Sequence, residues 1–126
     1  MKHLPEAQLE VMIAIWDAEN PVARNEIQKR LPENRWKTTT LNTFLNRLSQ
    51  SGFLKVEHKG KEYVYSPLIT KEEYMAFAGK SILKNLYSNS IKMFVASVCS
   101  SNDMTEKEVK DLQMLLTKLK GGDTSD

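Results

Sequence analysis

The chain has 126 residues, 40% of them apolar and 27% charged, with a net charge of +2: the balance of one globular domain, or two small ones sharing a core. That size excludes a large multidomain enzyme, and no apolar run approaches the ~18 residues of a membrane span. The lone cysteine, Cys99, excludes an internal disulfide and a thiolate metal cage, fits a reducing compartment, and in the apolar run MFVASVC reads as a small core residue. The N-terminus MKHLPEAQLEVM lacks the basic start, apolar run and cleavage site of a signal peptide, so the expected location is cytoplasmic.

Charge is unevenly spread. Residues 24–61 hold nine basic residues against three acidic ones, a net +6, whereas residues 1–23 sum to −3 and residues 71–126 to zero. Basic charge gathered in one segment is the footprint expected for contact with a phosphate backbone, although a solvated face has the same composition.

Taken in chain order, Pro5 suits the first turn of a helix, and Leu9, Met12, Ile13 and Trp16 recur with the spacing of a buried helical stripe that ends near Asn20-Pro21. Ala23, Ile27 and Leu31 mark a short second helix that Pro32 stops. Leu41, Phe44, Leu45 and Leu48 give a third, ended by Gly52. The period then changes. FLKVEH and EYVYS are rich in aromatic and β-branched residues, Lys59-Gly60-Lys61 reads as the hairpin loop between them, and Pro67 ends the second strand. Beyond it, Thr70-Lys71-Glu72-Glu73 and Thr105-Glu106-Lys107-Glu108 are capping-box patterns. Three amphipathic helices follow, lined by Tyr74, Phe77, Ala78, Ile82 and Leu86, then by Ile91, Phe94, Val95 and Val98, then by Val109, Leu112, Leu116 and Leu119.

The expected fold is therefore mainly α with a small β-hairpin: a winged helix-turn-helix over residues 1–70, followed by a helical dimerization domain over residues 71–126. About 55 residues in three helices form a thin core, which favours a second copy as the missing cover; a subdomain folded back on the first half of a monomer is the alternative. The expected dimer contact comprises Tyr74, Phe77, Ile82, Leu86, Val109, Leu112, Leu116 and Leu119.

With its apolar row turned inward, the third helix presents Thr39, Thr40, Asn42, Thr43 and Asn46 outward. Asn pairs with adenine and Thr reaches a hydrogen-bonding edge or a thymine methyl, so these five are the candidate base contacts. Arg24, Arg35, Lys37, Arg47, Lys59 and Lys61 are the candidate phosphate contacts, the last two on the wing. The competing structural reading is that Thr38 caps the helix and its neighbours are incidental. Trp16 and Trp36 read as packing residues. His3 and His58 stand without a ligand set, no Gly-rich phosphate loop or catalytic constellation is present, and neither a metal, a cofactor nor an enzymatic activity is expected. A winged helix used only for protein interaction, without specific DNA binding, remains the functional alternative.

The segments LPEAQLEVMIAIWD, PVARNEI, WKTTTLNTFLNRL and SGFLKVEHKGKEYVYSPLI, with the capped terminal helix, resemble in order the penicillinase repressor family of the BlaI/MecI type, whose relatives include the copper-responsive CopY repressors. The resemblance covers most of the chain and is strongest over residues 4–70. It implies a dimeric repressor of TACA/TGTA-type palindromic operators, controlling β-lactam resistance or stress genes, with Thr39, Thr40 and Asn42 in the base-contacting stretch. Relatives place longer basic residues in that stretch, which leaves the preferred operator open. The resemblance further implies relief by proteolysis through a membrane-bound sensor metalloprotease, with the aligned bond at Ser97-Val98, where both residues differ from the family's Asn-Phe. The C-terminal cysteine motifs of the copper branch are missing from LLTKLKGGDTSD.

Overall fold

The computed structural model describes residues 1–100 and 104–124. The elements run α1 (Glu6–Trp16), β1 (Val22–Ala23), α2 (Arg24–Arg30), α3 (Thr38–Gln50), β2 (Leu54–Lys59), β3 (Glu62–Pro67), α4 (Lys71–Tyr87), α5 (Ile91–Cys99) and α6 (Glu106–Thr124). They fall into two compact units, Met1–Gly79 and Lys80–Asp126.

In the first unit α1–α3, the start of α4 and a three-stranded antiparallel sheet, ordered β1-β3-β2, enclose one core. Helix α1 starts directly after Pro5, as expected, but its buried stripe is displaced by one residue. Gln8, Val11, Met12 and Ile15 face inward, Leu9 and Trp16 are half-buried, and Ile13 is 41% exposed. The run VMIAIW offers two apolar faces with the same spacing, and the polar Gln8 disguises the one that packs against α3 and β3. Helix α2 contributes Ile27, with Leu31 closing it, and α3 contributes Leu41, Leu45 and Leu48, each at most 1% exposed.

The end of α3 is set by backbone geometry. Gly52 adopts φ +85°, its N–H donates to the Ser49 carbonyl at 3.3 Å, and the Phe53 N–H donates to the Leu48 carbonyl at 2.9 Å. This pair of bonds is a Schellman motif, with Phe53 and Leu48 both in the core beside it. The hairpin then folds in register from Leu54↔Pro67 to Lys59↔Glu62. Its loop is one residue shorter than expected, because Lys59 pairs across the ladder and leaves Gly60 and Lys61 at the turn. Gly60 alone of the two has positive φ, +63°, the pattern of a type II′ turn whose twist matches the strands. Strand β1, two residues without a readable period, pairs Val22↔Tyr65 and Ala23↔Val64.

Both capping boxes form. Thr70 N–H donates to Glu73 Oε1 and Glu73 N–H to Thr70 Oγ1, each at 3.0 Å. Thr105 and Glu108 repeat the exchange at 3.0 and 3.2 Å. Tyr74, expected at a dimer contact, is instead consumed inside the first unit at 5% exposure. Its hydroxyl accepts from Leu4 N–H at 2.9 Å, and its ring sits among Trp16, Phe53 and Phe77. An already buried side chain has no area left to give a partner. Phe77 is half-buried against the same core.

In the second unit no described residue from Lys80 to Leu119 is buried. Ile82, Leu86, Val109, Leu116 and Leu119 are exposed and Leu112 is half-buried; Met114 and Leu115, not singled out from the sequence, are 70% and 52% exposed. Cys99 is also exposed, not a core residue, because α5 has no buried face within the unit. Helix α5 is capped by Ser90, whose hydroxyl accepts from Met93 N–H at 3.1 Å, and Tyr87 meets Phe94 edge-on.

Candidate nucleic-acid interface

The side of α3 opposite Leu41, Leu45 and Leu48 carries Thr39, Asn42, Thr43 and Asn46, all exposed, with Thr40 half-buried beside them. The helix is capped by Lys37 through its backbone, with no side-chain cap bond, and Thr38 is already its first residue. Thr38 therefore does not fill the capping role that would have explained the cluster structurally. Thr43 does make a local bond: its hydroxyl donates to the Thr39 carbonyl at 3.0 Å, leaving its oxygen as an acceptor.

Asn42 and Asn46 open onto a groove whose other walls are the start of α2, with Arg24 and Asn25, and the wing, with Val56, Lys61, Glu62, Tyr63 and Tyr65. Arg24 is held in place by Gln28 Oε1 at 2.9 Å and Asn25 Oδ1 at 2.8 Å. Three carboxamides, an oriented guanidinium, a lysine and the Glu62 carboxylate thus share one concave surface. The sequence identified Arg24, Lys61, Asn42 and Asn46 singly; their grouping needs the sheet register. Asn25, Tyr63 and Tyr65 were missed. The signal for the tyrosines is strand alternation, which puts both on one face of β3 opposite Val56 and His58. Burial pushes the Tyr65 phenol above its ordinary pKa, against a smaller downward pull from Arg24. Tyr65 is thus a neutral hydroxyl at physiological pH.

Among the described residues, ion pairs join Arg30 to Glu26, Arg35 to Glu10 and Lys55 to Glu57. Arg24, Lys37, Arg47, Lys59 and Lys61 have no such acidic partner among the described residues; the last four are exposed and Arg24 is half-buried. Arg35 differs from the other phosphate candidates: it binds Glu10 through two nitrogens, at 2.9 and 3.1 Å. That hydrogen bond, then the nearby Glu10 and Glu6 charges, raise its pKa further. Trp36 packs edge-on against Phe44 with ring centroids 5.1 Å apart, and Trp16 donates its indole N–H to the Ile69 carbonyl at 2.9 Å; both are packing residues.

The His3 ring lies tilted against Phe77 and the His58 ring tilted against Tyr63. Among the described residues no three His, Cys, Asp or Glu side chains converge, and no helix is long and apolar enough to cross a membrane. The Ser97-Val98 bond lies inside α5, where Ser97 Oγ donates to the Phe94 carbonyl at 2.7 Å and meets the Tyr87 hydroxyl at 3.1 Å.

Three helices, a short strand linking the first two, and a hairpin beside an outward-facing third helix define a winged helix-turn-helix. The penicillinase repressor family model matches residues 4–118. The chain belongs to the penicillinase repressor family, a family of transcriptional repressors and not of enzymes. It is 29% identical over 124 residues to the penicillinase repressor of Bacillus licheniformis, covering 95% of this chain and 96% of that protein. It is 27% identical over 111 residues to an uncharacterized 16.5 kDa protein in the ptsI 3′ region of Latilactobacillus sakei, covering 88% and 76%. Among solved structures it is similar to monomeric B. licheniformis BlaI in complex with the blaP half-operator, with a TM-score of 0.49 and 34% identity over 58% of this chain and 89% of that one. It is also similar to AbfR of Staphylococcus epidermidis, with a TM-score of 0.46 and 23% identity over 98% and 76%.

Proposed function

We propose that this chain is a dimeric, cytoplasmic, sequence-specific DNA-binding repressor acting on a palindromic operator of the TACA/TGTA type. The observation that carries the reading is the two-sided α3: leucines at most 1% exposed on one side, and Thr39, Asn42, Thr43 and Asn46 on the other, beside a groove that also holds Arg24 and Lys61. Short hydrogen-bonding side chains on a helix braced from behind suit the major groove, where each good bidentate base contact is worth roughly 1–3 kcal/mol of discrimination. Lys37, Arg47, Lys59 and Lys61, without an acidic partner among the described residues, would hold the phosphates, and residues 1–70 act as the DNA-binding domain.

Residues 71–126 then supply dimerization, chiefly through the exposed apolar side chains beyond Lys80. Two half-sites about one helical turn apart need a two-fold protein. The regulated genes belong to β-lactam resistance or stress, and relief comes from cleavage at Ser97-Val98 through a sensor metalloprotease. Because that bond sits in a helical turn and proteases bind extended chain, α5 must unwind locally for the cut. Separated monomers would then lose the avidity of two linked half-sites.

The test is to replace Thr39 and Thr40 together, and Asn42 separately, by Ala and to measure binding to a duplex selected by the wild-type protein and to random duplex. Loss of discrimination with weak salt-sensitive binding retained is the expected result. Equal loss on both duplexes from folded variants would remove these residues from base reading. A wild-type protein that binds no duplex would favour a protein-interaction module instead.

A further inference from the structure

Arg35 sits in the basic middle of the sequence, yet its guanidinium is occupied. Two of its nitrogens bond both oxygens of Glu10 on α1, and its central carbon lies 4.8 Å from the centroid of the Trp36 ring. Trp36 in turn packs edge-on against Phe44 in the middle of α3, and both Trp36 and Phe44 are half-buried against the core. These four side chains form a continuous path from α1, across the loop that joins α2 to α3, to the helix bearing the candidate base contacts. The loop has few other ties: Arg35 N–H donates to the Pro32 carbonyl, and Lys37 caps α3 without a side-chain bond.

We infer that Arg35 is a positioning residue and not a phosphate contact: held by Glu10 and laid on Trp36, it fixes the entry of α3 and so the placement of Thr39, Thr40 and Asn42. The inference rests on the DNA-binding reading proposed above and deepens it by dividing the basic residues into two groups. A bidentate guanidinium–carboxylate pair fixes orientation as well as distance, which a lysine in the same place would not do. A guanidinium on an aromatic face adds a second constraint in a perpendicular direction.

The two roles predict opposite results for Glu10→Gln. A phosphate contact would be released from its acidic competitor, so affinity for every duplex would rise and the salt dependence would steepen. For a brace, affinity for the duplex selected by the wild-type protein falls about two- to fivefold, the range expected for an exposed but well-aligned pair. Affinity for random duplex and the slope of log affinity against log salt stay unchanged, because no phosphate contact is lost. The reversed pair, Glu10→Arg with Arg35→Glu, recovers part of the selected-duplex affinity if the pair is a brace; if Arg35 meets phosphate, a carboxylate there weakens all binding further. A DNA-free measurement keeps the inference separate from the binding reading. Amide exchange at Leu41, whose N–H donates to the Lys37 carbonyl, speeds up in Glu10→Gln while exchange at Val64 in the sheet does not. Unchanged exchange at Leu41 overturns the brace even if the protein binds no DNA; failure of all duplex binding together with faster Leu41 exchange overturns only the DNA reading.

Discussion

Replacing Tyr74 by Phe removes a single oxygen from a side chain that is 5% exposed and keeps the ring contacts with Trp16, Phe53 and Phe77. What is lost is the acceptor for Leu4 N–H, 2.9 Å away, on a residue that is itself 8% exposed. A buried donor left without a partner costs about 1–3 kcal/mol. Small proteins lose stability at roughly 1–3 kcal/mol per molar urea, so the midpoint should fall by about 1 M. Both tryptophans of the chain, Trp16 and Trp36, lie in the first unit and report its unfolding by fluorescence. Urea titration of wild type and variant at one protein concentration, with sedimentation equilibrium beside it, separates the two roles open to Tyr74. A lower midpoint with unchanged self-association is expected. An unchanged midpoint with weakened self-association would refute the packing role and return Tyr74 to a subunit contact.

Gly52→Ala should lower stability by about 1–2 kcal/mol in the same titration, since φ is +85° and an added Cβ meets nothing within 4 Å, so the effect is backbone strain alone; a neutral variant would contradict the Schellman assignment. Leu116→Asp with Leu119→Asp should weaken self-association by more than about tenfold, because in a dimer both leucines would lose their exposed area; a variant that stays dimeric in sedimentation would move the contact elsewhere. The backbone and hydroxyl bonds from Thr70 hold the Glu73 carboxyl below the ordinary glutamate value of 4.5. A lowered folded pKa means that the capping box contributes fully above that ordinary value and is lost as pH falls through the lowered one. An NMR titration should show the Glu73 midpoint below 4.5 in wild type and returning toward it in Thr70→Ala; identical midpoints in the two proteins would show that the box does not persist in solution.

Periodicity made α3 legible because its leucine row and its Thr/Asn row occupy opposite sides, with Thr40 and Phe44 half-buried at their margins. In α1 the same reading slipped by one residue, since VMIAIW is apolar nearly all round and the face that packs includes a glutamine. Strand β1 carries no period in two residues and exists only as a partner for β3. Spacing likewise marks Tyr74 as sharing a face with Phe77 and Ala78 but does not say what covers that face, and the core of the first unit covers it. For Arg35 composition was silent in another way: the carboxylate that occupies it is 25 positions away, on α1. The groove shared by Asn42, Asn46, Arg24 and Lys61 is a product of hairpin register, so these four could be named from the sequence but not assembled, and its Asn25, Tyr63 and Tyr65 walls could not be named.

The repressor reading is tested most directly by fluorescence anisotropy of the purified protein with a TACA/TGTA dyad duplex and with a scrambled duplex of equal length, each at several salt concentrations. Dyad affinity at least about a hundredfold above that for the scrambled duplex is expected, with both falling steeply with salt as phosphate contacts release counterions. Equal affinity for the two duplexes, or no binding to either at moderate salt, would contradict it.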